Sequence, residues 1–451
     1  GQINLYKKSD LEKINFNEVD FIIDATGSIV LNNPSVALSG TSAQFVSAFA
    51  GTITEHTNSV TITNADYTVA QLKTINAATT GSIILNTTNV ALSGSSSDLL
   101  IALNGTTNHD GAVTITDTHT LAQLKGINNG TAGTITLNDT TVALAGSAAD
   151  IKAALAGTFA SAYTGNVTIT DADSSSVAAA DLSTIAGDTT GTVTVSNNIN
   201  ITGTAAQITT AVGNVDTFSG TPTATLSDAH TLAQLKTIND AISGQLTLND
   251  YTVALAGSPT DVAAALDGTF AASYTGDISL NANHTLAQLK AINNGTTGTI
   301  TLNSYGVDLS GTSADVGAAL AEPFASTYTG NITLTDSHTL AQLKAINSQT
   351  TGQITLADNT VVLTGSASDI KTALSGTFAA AYEGNVVISD ANGTSITAAD
   401  ISTIAGDTAG TVTVSTNINL TGTSAEIAAA GWGSAKFMSI SGASPFRFSA
   451  W

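Results

Sequence analysis

The sequence predicts a β-rich repeat solenoid with short helices, and three observations carry that prediction. The stretch 338–352, HTLAQLKAINSQTTG, returns in near copies along the chain. Between its returns, short β-branched runs and capped helical segments follow one another at fixed spacing. Aromatic residues make up only 5% and charged residues 10% of the chain, while Gly, Ala, Ser, Thr and Asn are abundant. That composition suits thin, regular layers better than one bulky core.

The first helix of each unit is announced by its cap. Thr339 and Gln342 form a capping box, in which the Thr hydroxyl accepts the N–H of the third helical residue and Gln342 reaches back to the Thr N–H. Leu340, Leu343 and Ile346 then fall at three-residue spacing on one face, and Asn347 with Gly352 offers a stop. The same grammar opens at Thr68, Thr120, Thr231 and Thr285. A helix this short is unstable alone, so it must pack.

Strands follow. Gly133-Thr-Ile-Thr-Leu137 is an alternating β-branched run, and Val142-Ala-Leu144 comes after Asn138 and Asp139, which reads as two short strands joined by a tight turn or a corner. Ser147 then caps a second helix that runs to Leu155, with copies at Thr41, Ser95, Ser258, Thr312 and Ser366. Pro259 sits at the first helical position, where proline costs no hydrogen bond. Phe159, Tyr163 and a third strand through Val167 and Ile169 complete the unit.

Each unit thus reads strand, helix, strand, strand, helix. Leu124, Ile127, Ile135, Leu137, Val142, Leu144, Ile151, Leu155, Val167 and Ile169 are expected to point inward. No unit has enough apolar surface to stand alone, so neighbours must stack. Strands repeat near 4.8 Å and helices pack about 8 to 10 Å apart, so one strand per helix implies strong curvature and two per helix implies little. The sequence permits either; at two strand spacings a unit would rise roughly 10 Å.

Aligning the second apolar residue of each first helix gives Leu72, Leu124, Leu182, Leu235, Leu289, Leu343 and Ile401, a period of 52 to 58 residues. Leu124 and Leu343 lie as far apart as Leu182 and Ile401, so a block of four units was duplicated. The expected organisation is a charged N-terminal cap or degenerate repeat at 1–26, an elongated array of about seven to eight units at 27–430, and a C-terminal tail or cap at 431–451. That tail holds both tryptophans, the only Met and the only Arg.

The net charge is −22, from 34 acidic against 12 basic residues, which argues against nucleic acid as a partner. Cysteine is absent, excluding disulfide frameworks and thiolate metal sites. No apolar run reaches the length of a membrane span, and no signal peptide is visible. Since the chain begins at Gly1, it reads as a processed product or part of something longer.

Three columns of polar residues are candidates for function. His119, His230, His284 and His338 precede the helix cap and could gather a transition metal, although Tyr67 in the same place points to a residue that closes a corner. Asn64, Asp117, Asp171, Asp228, Asn281, Asp336 and Asp390 end the third strand, where Asx turns and helix starts favour them. Stacked carboxylates repel unless a cation intervenes, which makes Asp117, Asp171, Asp228, Asp336 and Asp390 candidate calcium ligands. Thr-x-Thr pairs such as Thr114 with Thr116 and Thr299 with Thr301 could present a binding face. There is no nucleophile elbow, phosphate loop or HExxH motif, and polar residues are spread evenly through the repeats, so catalysis is not expected.

The motifs HTLAQLKAIN, GTITLND, TVALAGSAADIKAAL and YTGNVTITD resemble the repeat regions of very large bacterial cell-surface and secreted proteins, often those of aquatic bacteria. The resemblance implies an adhesin, surface-layer or matrix component at an extracellular or cell-surface location, frequently calcium-dependent, although the glycine-rich calcium nonapeptide is missing. It implies self-association, or contact with neighbouring surface proteins, as the leading partnership. A Thr-rich face for ice, glycan or mineral, or a phage tail-fibre segment, are the alternatives.

Overall fold

The computed structural model describes residues 21–23, 29–31, 34–50, 56–321, 323–427 and 437–440. Most of the expected cap at 1–26 and tail at 431–451 lies outside the described residues. The chain divides into two compact units, 1–225 and 226–451, and both are built from two kinds of coil that alternate.

A first-type coil is strand, ten-residue helix, strand: in the second unit Ile332–Leu334, Leu340–Gln349 and Ile354–Thr355. Its helix starts where expected, with Thr339 accepting from the Gln342 N–H and Gln342 returning the bond to the Thr339 N–H at 2.8 Å. A second-type coil has its cap directly after the strand: Leu363–Gly365, then Ala367–Leu374 capped by Ser366, then Phe378. In the first unit the same two coils are Val113–Ile115, Leu121–Gly130, Ile135–Thr136 and Leu144–Gly146, Ala148–Leu155, Phe159.

Among the described residues the ladders that join coils from Leu38 onward are parallel, only the pair Phe21–Ile23 with Ile29–Leu31 being antiparallel. Ladder order is the part of the fold least visible in the sequence. In a first-type coil the two strands pair with each other across their helix, Ile332 opposite Ile354. The leading strand of the preceding second-type coil joins on one side, Leu309 opposite Ile332. The trailing residue of the following second-type coil joins on the other, Phe378 bridging Ile354. The first unit repeats this as Leu92, Val113, Ile135 and Phe159. Every helix therefore has two strand positions, which matches a helix spacing of about 8 to 10 Å to strands near 4.8 Å.

The core runs between the helices and these ladders. Leu124, Ile127, Ile135, Leu144, Ile151, Leu155, Val167 and Ile169 are buried as expected. Leu137 and Val142 are only half-buried. The expected run 133–137 narrows to the strand Ile135–Thr136, after which the chain leaves that ladder and enters the next at Leu144, so the junction is a corner and not a hairpin. The unit also holds a fourth strand position, at Phe159, that the sequence pattern did not disclose.

Two coils carry an insertion. Here the strands Ser176–Ala178 and Ser395–Thr397 precede the helix and pair with Asn200–Gly203 and Asn419–Thr421, forming an extra ladder. Four added residues become a strand that places Val177 and Ile396 in the buried layer.

The capping box is a stability device that can be tested singly. Thr285 accepts from the Gln288 N–H, and Gln288 from the Thr285 N–H at 2.9 Å. Thr285→Ala is expected to cost about 1 kcal/mol, measured as a loss of hydrogen-exchange protection in the helix Leu286–Gly295.

Candidate functional site

The recurring side chains reach from one coil to the next. The Asp column lies just past the leading strand of first-type coils. Asp117 accepts the Ser96 N–H at 2.7 Å, Asp171 that of Ala148 at 2.7 Å, Asp336 that of Ser313 at 2.7 Å and Asp390 that of Ala367 at 2.8 Å; Asn64 serves Ser42 at 2.7 Å. Those amides are the first of each short helix, so the column residue sits at the positive end of the helix in the preceding coil. Asp228 is also partnered.

One coil departs from this scheme. Counting from the strand Ile278–Leu280, the column position holds Ala282, and Asn281 takes the place of Thr335, its N–H bonded to the Gly257 carbonyl. The expected membership of Asn281 is thus one residue out of register. The short helix facing Ala282 begins at Pro259, which has no N–H to give. Acceptor and donor are missing together.

Among the described residues no three His, Cys, Asp or Glu side chains gather where they could hold a metal ion. The calcium expectation for Asp117, Asp171, Asp228, Asp336 and Asp390 therefore has no clustered donor set to rest on, and four of these carboxylates are seen bonded to helix amides. Sodium and calcium at matched ionic strength are expected to raise the melting temperature equally, through screening of the acidic surface. A larger calcium effect, lost in Asp336→Asn, would restore the column as a binding site.

All six histidines of the chain are buried, from 0% exposed at His56 to 4% at His119. His230, His284 and His338 each place Nε2 3.2 Å from a tyrosine hydroxyl, of Tyr274, Tyr328 and Tyr382. Those hydroxyls donate to the carbonyls of Val253, Val307 and Val361 at 2.5 to 2.6 Å. With the tyrosine proton committed to the carbonyl, the histidine must donate from Nε2, which leaves Nδ1 a bare acceptor. Nδ1 of all three has no partner, and neither ring nitrogen of His119 has one.

Burial lowers the pKa of His119, His230, His284 and His338, keeping the rings neutral, and raises those of Tyr163, Tyr274, Tyr328 and Tyr382. At the start of the array the two residue types exchange places: His109 reaches the Val90 carbonyl at 2.9 Å, and Tyr67 reaches that of Thr87 at 2.8 Å. The histidines close corners within single coil pairs.

Three further columns went unnoticed in the sequence. Every lysine among the described residues pairs with the Asp three residues past the cap of the next helix: Lys73 with Asp98, Lys125 with Asp150, Lys152 with Asp181, Lys236 with Asp261, Lys290 with Asp315, Lys344 with Asp369 and Lys371 with Asp400. Asn76, Asn128, Asn239, Asn293 and Asn347 each donate to a carbonyl in the second half, or at the end, of the following helix. Glycines after the long helices touch the preceding coil so closely that a Cβ on Gly133 would lie 1.9 Å from the Gly111 carbonyl oxygen. The Lys-to-Asp offset, 25 residues in five pairs and 29 in the two whose Asp follows an inserted strand, was the readable signal for the first.

The first residue of most Thr-x-Thr pairs lies on the outward side of a ladder. Thr114 stands between Ser93 and Thr136, Thr168 between Ala145 and Thr194, and Thr333 between Ser310 and Thr355. Val387 interrupts the file between Thr364 and Thr413. Among the described residues no helix is long and apolar enough to cross a membrane. The chain matches no protein-family model and no curated protein sequence.

Proposed function

We propose that the chain is an extracellular structural or adhesive repeat protein, a spacer or a surface-layer, matrix or filament subunit, and not an enzyme. One observation supports this most: each kind of chemistry-bearing side chain recurs from coil to coil, with local substitutions, and most of them tie one coil to the next. Catalysis needs a unique, preorganised group with its own environment. A surface that returns in every unit suits multivalent contact or assembly, in which weak sites add by effective concentration.

The particle is elongated in this proposal. Two stacked helices per unit set a rise of about 16 to 20 Å, twice the figure that two strand spacings gave. Contact with solid surfaces or glycans through the threonine files is the second reading, favoured by their outward position and by the small residues beside them.

Both readings are tested by one comparison of binding or assembly. Deleting two units in phase should weaken it far more than replacing Thr299 and Thr301 with Ala. A single substitution that abolished activity while the fold stayed intact would locate the function at one site and overturn the proposal.

A further inference from the structure

The four histidines that precede the long helices do not share the same surroundings. His119 has Asp117 and Asp139 nearby, His230 has Asp228 and Asp250, and His338 has Asp336 and Asp358. For His284 the same two positions hold Ala282 and Ser304, so both of those carboxylates are missing. Ser304 is in the corresponding turn, where its hydroxyl accepts the Gly306 N–H at 3.3 Å as Asp358 accepts that of Thr360. The titratable group packed against His284 is the Tyr328 hydroxyl, 3.2 Å from Nε2, which donates to the Val307 carbonyl, and the carboxylate next along the chain, Asp308, acts on that tyrosine.

A second proton on this ring would have to go to Nδ1, which is buried and has no acceptor. In the other three coils two carboxylates would compensate the new charge. At His284 neither of those carboxylates is present and the remaining one, Asp308, acts on Tyr328, so a buried cation there is the least compensated of the four. We propose that the coil carrying His284 is an acid-labile point in the second unit, which loosens before its neighbours when the surroundings acidify.

The sign follows from linkage. The folded ring is harder to protonate than the unfolded one, so the unfolded state binds more protons below the ordinary histidine range. The contribution is complete above about pH 6.5 and is lost progressively as pH falls below it. One proton taken up only on opening increases the opening equilibrium by up to about thirtyfold at pH 5. His338, in an equivalent coil of the same unit, is the internal control.

Hydrogen exchange of the full chain at pH 7.5 and pH 5, corrected for the chemical rate, tests this. Protection across 278–302 should fall by roughly ten- to thirtyfold, and that across 332–356 by clearly less. Ser304→Asp should narrow the difference, and His284→Gln, which retains a donor toward Tyr328, should remove the acid response of that coil. Equal loss in both segments, no loss at His284, or an acid response that persists in His284→Gln would overturn the proposal. Should His284→Gln fail to fold, the comparison of the two segments in the unaltered chain and the Ser304→Asp result decide it.

Discussion

Leu289→Ala is expected to destabilise its coil by about 2 to 5 kcal/mol. Leu289 is fully buried on the helix Leu286–Gly295, which packs against the short helices Pro259–Leu266 and Ser313–Ala319 of the coils before and after it. Truncation leaves a cavity between two helices whose own core residues, Val262 and Val316 among them, are already fully buried. In a stacked array each coil is stabilised mainly by the two beside it, so the loss should spread outward from the site. Hydrogen exchange should rise first in Leu286–Gly295, then in the two flanking helices, and last in Ala398–Asp407. Uniform exposure of the whole unit would show that it opens all at once.

Gly352→Ala should be comparably damaging for a different reason. A Cβ there would lie 2.0 Å from the carbonyl oxygen of Gly330 and 2.6 Å from its carbon, and both are backbone atoms of a paired coil. No side chain can rotate away, so the corner must separate, at about 3 kcal/mol. Gly406→Ala is the matched control. It lies in the helix Ala398–Asp407 with nothing within 4 Å of the new carbon, and should stabilise by about 0.5 kcal/mol. Thermal melts of the two variants should move in opposite directions; a neutral Gly352→Ala would mean that the corner is looser than its contacts imply.

The helices were legible because their signals are local. A capping box, an apolar triplet and a stop occupy one short stretch, and Thr339, Leu343 and Ile346 play the parts their spacing assigns. The strands were partly legible. Ile135 and Val167 declared themselves, whereas Phe159 contributes one bridging residue with no alternation around it. Ladder order was hidden, since it depends on which strand lies opposite which after a helix has intervened. The columns failed in proportion to their reach: Asp336 looked like a local turn residue, yet its partner, the Ser313 amide, is 23 residues away. Calcium was inferred from expected proximity between carboxylates; what the structure adds is that Asp117, Asp171, Asp336 and Asp390 each accept a helix amide from the preceding coil.

The paired absence at Pro259 and Ala282 limits where such an array can be cut and rejoined. Most such junctions are interchangeable, because the short helix of each second-type coil presents an amide and the first-type coil after it presents the acceptor. Fusing the coil of Pro259 directly to that of Asp336 would set a buried-side carboxylate against a nitrogen with no hydrogen. Placing the coil of Ala282 after that of Ser313 would strand an amide instead. Breakpoints that keep 259 and 282 together, or remove both, preserve every junction. Recombination between repeats is therefore constrained by complementarity between neighbours as well as by length, and a library of shuffled arrays should be depleted in mismatched junctions after selection for folding.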